Sequence, residues 1–543
     1  MEPVPLDNEA LAERLEAFAI LLDLAGANPY SSRAYRRAAT LIRGAGIDVA
    51  ELVRGGRATE LKGIGASIEG RLRELVETGR LAELEELERR VSPEVVGFGR
   101  YLGLTSQRAL DIARALEVRT AQGFREAVSA GRLREVPGIG PKTERRIREL
   151  LERPVSTSSG RALNLGRSRE LLDRIAASLG GEVAGDVRRF VDAPERLTVV
   201  CAAADSDTAL DAFERLPDVV ALVQRGERRA VGLTVEGVAV ELLAVEPAAL
   251  GTELLRATGA SSYVEELEPL PVCSTEEEVF RALDVPPCPA ELRNAPFRGE
   301  PPQLLVRSDL RGDLHCHSTW SDGRASVLEM GVAARELGYE YLAICDHTPN
   351  VRVVRGVTPD DLRRQGEEIA AANAELAPFR LLRGAECDIL PDGSLDLPDD
   401  MLDELDWVTA SLHAGQRRPR RELTAQVLEA IRHPAVRALS HPTGRLINHR
   451  PPNELDLDET FAVAAELGIA LEVNGLPDRL DLKGEHVRAA IEAGARIVVN
   501  TDAHSARGLA NIELAVGTAR RGWATAADVV NARPLTELLA PRA

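Results

Sequence analysis

Asp313-Leu314-His315-Cys316-His317, followed by Ser321-Asp322-Gly323, decides the reading of the C-terminal half of this chain. A short apolar run ends in two histidines and then breaks into a polar loop with an aspartate. At i and i+2 on a strand both rings point to one face, so His315 and His317 can clasp one metal ion. The same context returns further on, in Leu342-Ala343-Ile344-Cys345-Asp346-His347 and Arg383-Gly384-Ala385-Glu386. It returns again in Trp407-Val408-Thr409-Ala410-Ser411-Leu412-His413, Ala438-Leu439-Ser440-His441-Pro442 and Ile497-Val498-Val499-Asn500-Thr501-Asp502-Ala503-His504. All nine histidines lie at or beyond position 315. Oxygen and imidazole ligands delivered from many strand ends are what a multinuclear hydrolytic metal site requires.

Working outward, seven strand candidates fall at residues 310–316, 341–345, 379–385, 407–412, 438–440, 470–473 and 496–500. Helical periodicity fills 327–337, 359–374, 423–431, 458–467 and 485–493 between them. A βα alternation of this length predicts a parallel barrel, here seven-stranded and distorted, with its chemistry at the C-terminal strand ends. His433, His449 and His486 fall outside the pattern and read as ordinary structural or surface histidines, with His449 within possible reach of a substrate.

Residues 1–155 read as all-helical and contain two similar glycine turns, Leu61-Lys62-Gly63-Ile64-Gly65 and Val136-Pro137-Gly138-Ile139-Gly140-Pro141-Lys142. Each opens a helix, and its glycines let backbone N–H groups approach a phosphate beside the favourable helix dipole. The pattern resembles the helix-hairpin-helix motif, which grips DNA backbone without reading sequence. Gly63, Gly65, Gly138, Gly140 and Lys142 are the expected DNA contacts, and a weaker third copy is expected over residues 97–108. After a flexible linker at 156–160, residues 161–285 alternate helix and strand patterns, as an α/β domain with a mainly antiparallel sheet does. A proline-rich linker over 286–304 leads to the barrel at 305–543.

The chain has 543 residues, too many for one core, and its 44% hydrophobic and 28% charged content is that of a soluble globular protein. No apolar run approaches the ~20 residues of a membrane span, and the acidic N-terminus lacks a signal-peptide pattern. Six scattered cysteines without a C-x-x-C pair read as reduced core thiols, so a cytoplasmic location is expected. The net charge of −19 excludes a protein that coats nucleic acid indiscriminately. Residues 1–155 are nevertheless nearly balanced, with 25 basic against 24 acidic side chains.

The order of these parts resembles the bacterial family X DNA polymerases that carry a C-terminal PHP (polymerase and histidinol phosphatase) domain, over nearly the full chain. The resemblance implies a nucleotidyltransferase-like palm in the middle segment and a PHP phosphoesterase barrel behind it. It also implies nine metal ligands, His315, His317, Asp322, His347, Glu386, His413, His441, Asp502 and His504, which match the PHP motifs position for position. Nine ligands suit three divalent ions of Mn²⁺, Zn²⁺ or Fe²⁺ type, with Glu386 as the bridging carboxylate. Glu386 and Asp502 are then the catalytic carboxylates, and Arg445 and Asn474 the candidates for holding phosphate.

The family's palm starts with Gly-Ser and arginines, and three aspartates hold two metals for nucleotidyl transfer. Here Gly185-Asp186-Val187-Arg188-Arg189 fits the first element with Asp186 in place of the serine. The metal-binding positions fall on Arg196, Thr198 and Glu241. A guanidinium where a dication should sit predicts an inactive polymerase core. Asp205-Ser206-Asp207 lies past the strand and reads as a helix cap. The family's Schiff-base lysine aligns with Arg71, which cannot serve as that nucleophile. The sequence therefore reads as a metal-dependent phosphoesterase acting on DNA, a 3′→5′ exonuclease or 3′-end-processing enzyme. The alternatives are a gap-filling DNA polymerase, a small-molecule phosphatase and a DNA-binding scaffold.

Overall fold

The computed structural model describes residues 8–43, 48–61, 63–152, 163–351 and 354–540. The linker at 156–160 and Lys62 lie outside the described residues. In chain order the strands are β1 (Glu182–Ala184), β2 (Leu197–Ala202), β3 (Ala221–Arg225), β4 (Arg229–Leu233) and β5 (Ala239–Val245), then β6 (Gly312–Cys316) and β7 (Tyr341–Ile344). They continue with β8 (Arg380–Asp388), β9 (Trp407–Ser411), β10 (Val436–Leu439), β11 (Ala470–Asn474) and β12 (Arg496–Asn500).

The chain divides into two compact units: residues 1–161 with 205–244, and residues 162–204 with 245–543. The middle segment, expected as one domain over 161–285, is thus split between them. In the first unit the helical reading of the N-terminal region holds. Helices Val49–Arg54 and Ala66–Thr78 flank the first glycine turn, and a 3₁₀ turn (Arg132–Glu135) and helix Pro141–Glu152 flank the second. The two turns share one construction. Gly63 and Gly138 take the positive φ (115° and 76°) that a Cβ disfavours. Ile64 and Ile139 are buried beneath them, their N–H groups donating to Leu61 O and Val136 O. Gly65 and Gly140 sit exposed at the helix starts with nothing within 4 Å of where a Cβ would stand. At the weaker third site, helix Pro93–Tyr101 passes through Gly103 (φ 72°) into helix Ser106–Leu116. Strands β3, β4 and β5 pair antiparallel in sequence order, and Asp205 caps helix Ser206–Glu214, as its position past the strand predicts.

In the second unit, β6 to β12 form a seven-stranded parallel sheet in sequence order. Its edges meet through Asp502 N donating to His315 O (3.0 Å) and His317 N to Ala503 O (2.8 Å), so the barrel is nearly closed. Strands such as β7, β9 and β11 are buried along their whole length, which explains their unbroken apolar runs. Helices Val327–Glu336, Pro359–Leu376, Arg420–Ile431, Leu457–Leu467 and Gly484–Glu492 occupy the expected stretches, and Ile512–Arg521 adds one more. The 286–304 segment is packed rather than loose, with Cys288, Leu292 and Leu304 buried. The same unit includes the antiparallel β1–β2 pair. Phe190, beyond that pair's first strand, packs where a side chain on Gly517 would otherwise stand.

Candidate metal centre

The barrel's C-terminal strand ends gather all nine predicted ligands into one pit. His315 and His317 leave β6, His347 follows β7, Glu386 lies on β8, and His413 and His441 follow β9 and β10. Asp502 and His504 follow β12. Eight of them form three groups whose ligand atoms lie within 4.8 Å of one another, and His441 stands outside these groups beside Glu386. The groups are His317/Asp322/His347/His504, His315/His317/Asp502 and His347/Glu386/His413.

Glu386 sits at the centre. Its Oε1 is 2.8 Å from His441 Nε2 and 3.2 Å from His413 Nε2, while Oε2 is 2.7 Å from His347 Nδ1, 3.5 Å from His315 Nε2 and 3.7 Å from His317 Nε2. The carboxylate thus faces imidazoles with both of its oxygens. Asp502 Oδ1 lies 3.0 Å from His317 Nε2, and Asp322 Oδ2 lies 3.2 Å from His504 Nε2. The His317 and His504 rings stack at 4.2 Å. Two of the predicted ligands, His441 (φ 25°) and Asp502 (φ 54°), hold left-handed backbone conformations that non-glycine residues rarely adopt.

The residues fit divalent metals. His315 Nε2, His317 Nδ1 and His441 Nδ1 are buried without a hydrogen-bond partner, and His347 Nδ1 meets Glu386 Oε2 at 2.7 Å without hydrogen-bond geometry, a costly arrangement that coordination resolves. The electrostatics agree. Burial opposes charge on Glu386, but His347, His413 and His315 outweigh it and hold its carboxyl well below the ordinary value. Burial likewise disfavours charge on Asp502, and His315 and His317 overturn it. Burial, with His347 beside it, depresses His317 to about 4. Against the same burial penalty, Glu386 and Asp388 raise His413 to about 9, and Asp322 with Asp502 raise His504 to about 9.

A second layer holds these ligands, and sequence reading missed it. Glu472, buried on β11, accepts from His315 Nδ1 (2.7 Å), from His441 N (2.8 Å) and from Asn500 Nδ2 (3.0 Å). That contact directs His315 Nε2 into the pit. Ser411 Oγ donates to Glu386 Oε1 (2.7 Å), Asp388 faces His413 Nδ1 (3.4 Å), and Asp313 accepts from His315 N and Thr501 Oγ1. A charged residue inside the apolar run Leu471-Glu472-Val473 was the one available signal.

Of the two candidates for holding phosphate, Asn474 is in the pit, donating to Asp502 Oδ2 at 2.9 Å. Arg445 is turned away: its guanidinium pairs with Asp192 and donates to Leu480 O. His433 accepts from Ala435 N and faces Asp399, while His449 is exposed and His486 stands on helix Gly484–Glu492, so none of the three joins the ligand groups.

In the palm segment, Asp186 accepts from Glu195 N and Arg196 N (both 2.9 Å) and pairs with Arg189. Arg188 makes a bidentate pair with Glu276 at 2.9 Å. Glu241 receives Arg229 Nε at 2.6 Å. Arg196 and Thr198 stand at the other two positions where the resemblance expects metal-binding carboxylates. At the position of the Schiff-base lysine, Arg71 pairs with Glu83.

Comparison with known proteins agrees with these parts. Residues 6–81 match the helix-hairpin-helix domain model. The chain is 31% identical to the DNA polymerase/3′-5′ exonuclease PolX of Bacillus subtilis, over 96% of this chain and 97% of that protein. Its C-terminal part is 30% identical to a probable phosphatase of Photobacterium profundum, over 37% of this chain and 81% of the relative. It is also 31% identical to a probable phosphatase of Acetivibrio thermocellus, over 35% and 78%. No helix among the described residues is long and apolar enough to cross a membrane.

Proposed function

The chain belongs to the bacterial family X DNA polymerases that carry a C-terminal PHP domain, and we propose that it works as a metal-dependent phosphoesterase on DNA 3′ ends, its polymerase core silent. The observation that carries this reading is the buried pit of nine ligands with unsatisfied coordinating atoms, set beside a palm whose carboxylate positions are Arg196, Thr198 and Glu241. In this reading residues 1–155 are the helix-hairpin-helix region, 161–285 a palm remnant whose parts belong to different compact units, 286–304 a packed connection and 305–543 the PHP barrel.

Three divalent ions of Mn²⁺, Zn²⁺ or Fe²⁺ type, when bound, would acidify water and neutralise charge on a phosphoryl group. Glu386 bridges the ligand set with its two oxygens, and Ser411 keeps Oε1 oriented. Asp502 faces His317 and is held by Asn474, which fixes the carboxylate without adding a charge. Glu472 keeps His315 in the tautomer that presents Nε2. The hairpins supply affinity for DNA: Gly63, Gly65, Gly138 and Gly140 expose backbone N–H groups to phosphate, and Lys142 adds an exposed cation at a helix start.

The test is a 5′-labelled oligonucleotide incubated with Mn²⁺ and purified protein, wild type beside His315→Ala. Stepwise loss from the 3′ end by the wild type alone supports the reading. Equal degradation by both proteins, or none by either while a free phosphomonoester is cleaved, contradicts it. The second of these results would favour the small-molecule phosphatase reading, for which the probable-phosphatase relatives of the barrel speak.

A further inference from the structure

The loop after β11 carries Arg479 to the edge of the metal pit. Its Nε stands 3.7 Å from Asp502 Oδ2, and its side chain is only 16% exposed. Both Nε and Nη1 are buried without a hydrogen-bond partner. The loop that places it is tightly held: Arg479 N and Leu480 N both donate to Leu476 O, Asn474 Oδ1 accepts from Leu476 N, and Asp478 O accepts from Ile447 N. The guanidinium is therefore aimed by a fixed backbone.

Neighbouring arginines show the contrast. Arg445 commits both terminal nitrogens to Asp192 and Leu480 O, leaving only its Nε buried without a partner, and Arg450 donates through Nε to Gly444 O at 2.9 Å. Burial, together with the Arg479 charge, lowers Arg450 from its ordinary value, and the buried Asp481 carboxyl acts on Arg450 in the opposite sense. Asp502 cannot by itself account for Arg479, because that carboxylate already faces His317 and Asn474 and is a member of the ligand set. A fixed cation beside a site built for cations is unfavourable until an anion lies between them. A tetrahedral phosphoryl group, with oxygens for both the ions and a forked guanidinium, meets that requirement.

We propose that Arg479, rather than Arg445, grips the non-bridging oxygens of the substrate's scissile phosphate at this centre. The proposal rests on the phosphoesterase reading given above, and it assigns the recognised chemistry as a phosphoryl group, whether of a DNA end or of a free ester.

The experiment uses the full-length Mn²⁺-loaded protein and inorganic phosphate as the probe. Phosphate binding is followed by paramagnetic broadening of its ³¹P signal, metal content by elemental analysis, and 3′-end hydrolysis separately. For Arg479→Gln the expected result is the wild-type Mn²⁺ content with phosphate affinity lowered roughly 10- to 100-fold. Arg479→Lys, which keeps the charge but loses the fork, falls between. Wild-type phosphate affinity in the Gln variant overturns the proposal. So does loss of Mn²⁺ in both variants, which would make Arg479 a positioning residue for Asp502. Should a variant not fold, a crystal of the wild-type protein with phosphate decides: phosphate hydrogen-bonded to Arg479 upholds the assignment, and phosphate bound away from it refutes it. Phosphate bound through Arg479 without any hydrolysis would leave this assignment standing while the phosphoesterase reading fails. Hydrolysis unaffected by Arg479→Gln would do the reverse.

Discussion

Glu472→Gln tests how far the ligand pit depends on its supporting layer. Glu472 is fully buried and spends both oxygens on the centre. Oε1 accepts from His315 Nδ1 (2.7 Å) and Asn500 Nδ2 (3.0 Å), and Oε2 from His441 N (2.8 Å) and Asn474 Nδ2 (3.2 Å). Glutamine keeps the shape but turns one oxygen into an NH₂ group. Beside His441 N and Asn474 Nδ2 that group loses two hydrogen bonds to a charged acceptor; beside His315 and Asn500 it loses the Asn500 bond and can bond His315 Nδ1 only by forcing the other tautomer. The contribution of such bonds is about 1.5–3 kcal/mol each, so the apoprotein should lose roughly 3–6 kcal/mol where two are lost, or rearrange locally. The carboxylate also raises the basicity of His315 and fixes its tautomer, so Mn²⁺ or Zn²⁺ affinity should fall about 10- to 100-fold. Competition with a chelating dye measures that affinity, and 3′-end hydrolysis at limiting metal should fall in parallel and recover at high metal. Unchanged metal affinity together with unchanged stability would refute the role given to Glu472.

Metal uptake should release protons: His413 and His504 titrate at about 9 in the metal-free protein, so both carry a proton at neutral pH that coordination must expel. Affinity should therefore rise with pH up to about 9, and calorimetry in buffers of different ionisation enthalpy reads the proton count directly. Gly65→Glu with Gly140→Glu places carboxylates where nothing stands within 4 Å, so the fold should survive while DNA affinity falls about 10-fold at low salt. A mobility-shift titration over a salt series checks this, the gap narrowing as salt rises. Gly517→Ala would set a Cβ 1.9 Å from the Phe190 ring, so the second unit should lose about 1–3 kcal/mol, seen as a lower thermal midpoint.

The barrel was legible because its signal repeats. An apolar run ending in a ligand occurs on six of the seven strands, and each run sits where the structure puts a strand end. The second layer was not legible: Ser411, Asp388 and Arg479 carry no spacing that separates them from ordinary polar residues, and only folding brings them to the pit. Arg445 shows the limit of proximity in sequence. It is four residues past the ligand His441, yet Gly444, with φ 59°, precedes it and its side chain runs to Asp192. In the middle segment, β1 and β3 carry little sequence signal, since β1 has three residues and β3 ends in exposed Gln224 and Arg225. The expected single domain there gave way to two units, since residues 205–244 pack with the N-terminal helices: Arg100 Nη1 donates to Val235 O at 2.9 Å.

The central claim is a working hydrolytic centre behind a silent polymerase core. The measurement that tests it most directly is one gel: a labelled primer–template with Mn²⁺ and all four dNTPs, using wild type, His315→Ala and Glu386→Gln. Shortened primers with the wild type, intact primers with both variants, and no extended product in any lane are expected. Extension that persists in the two variants would contradict the claim, because Arg196 and Thr198 would then stand in a palm that still polymerises.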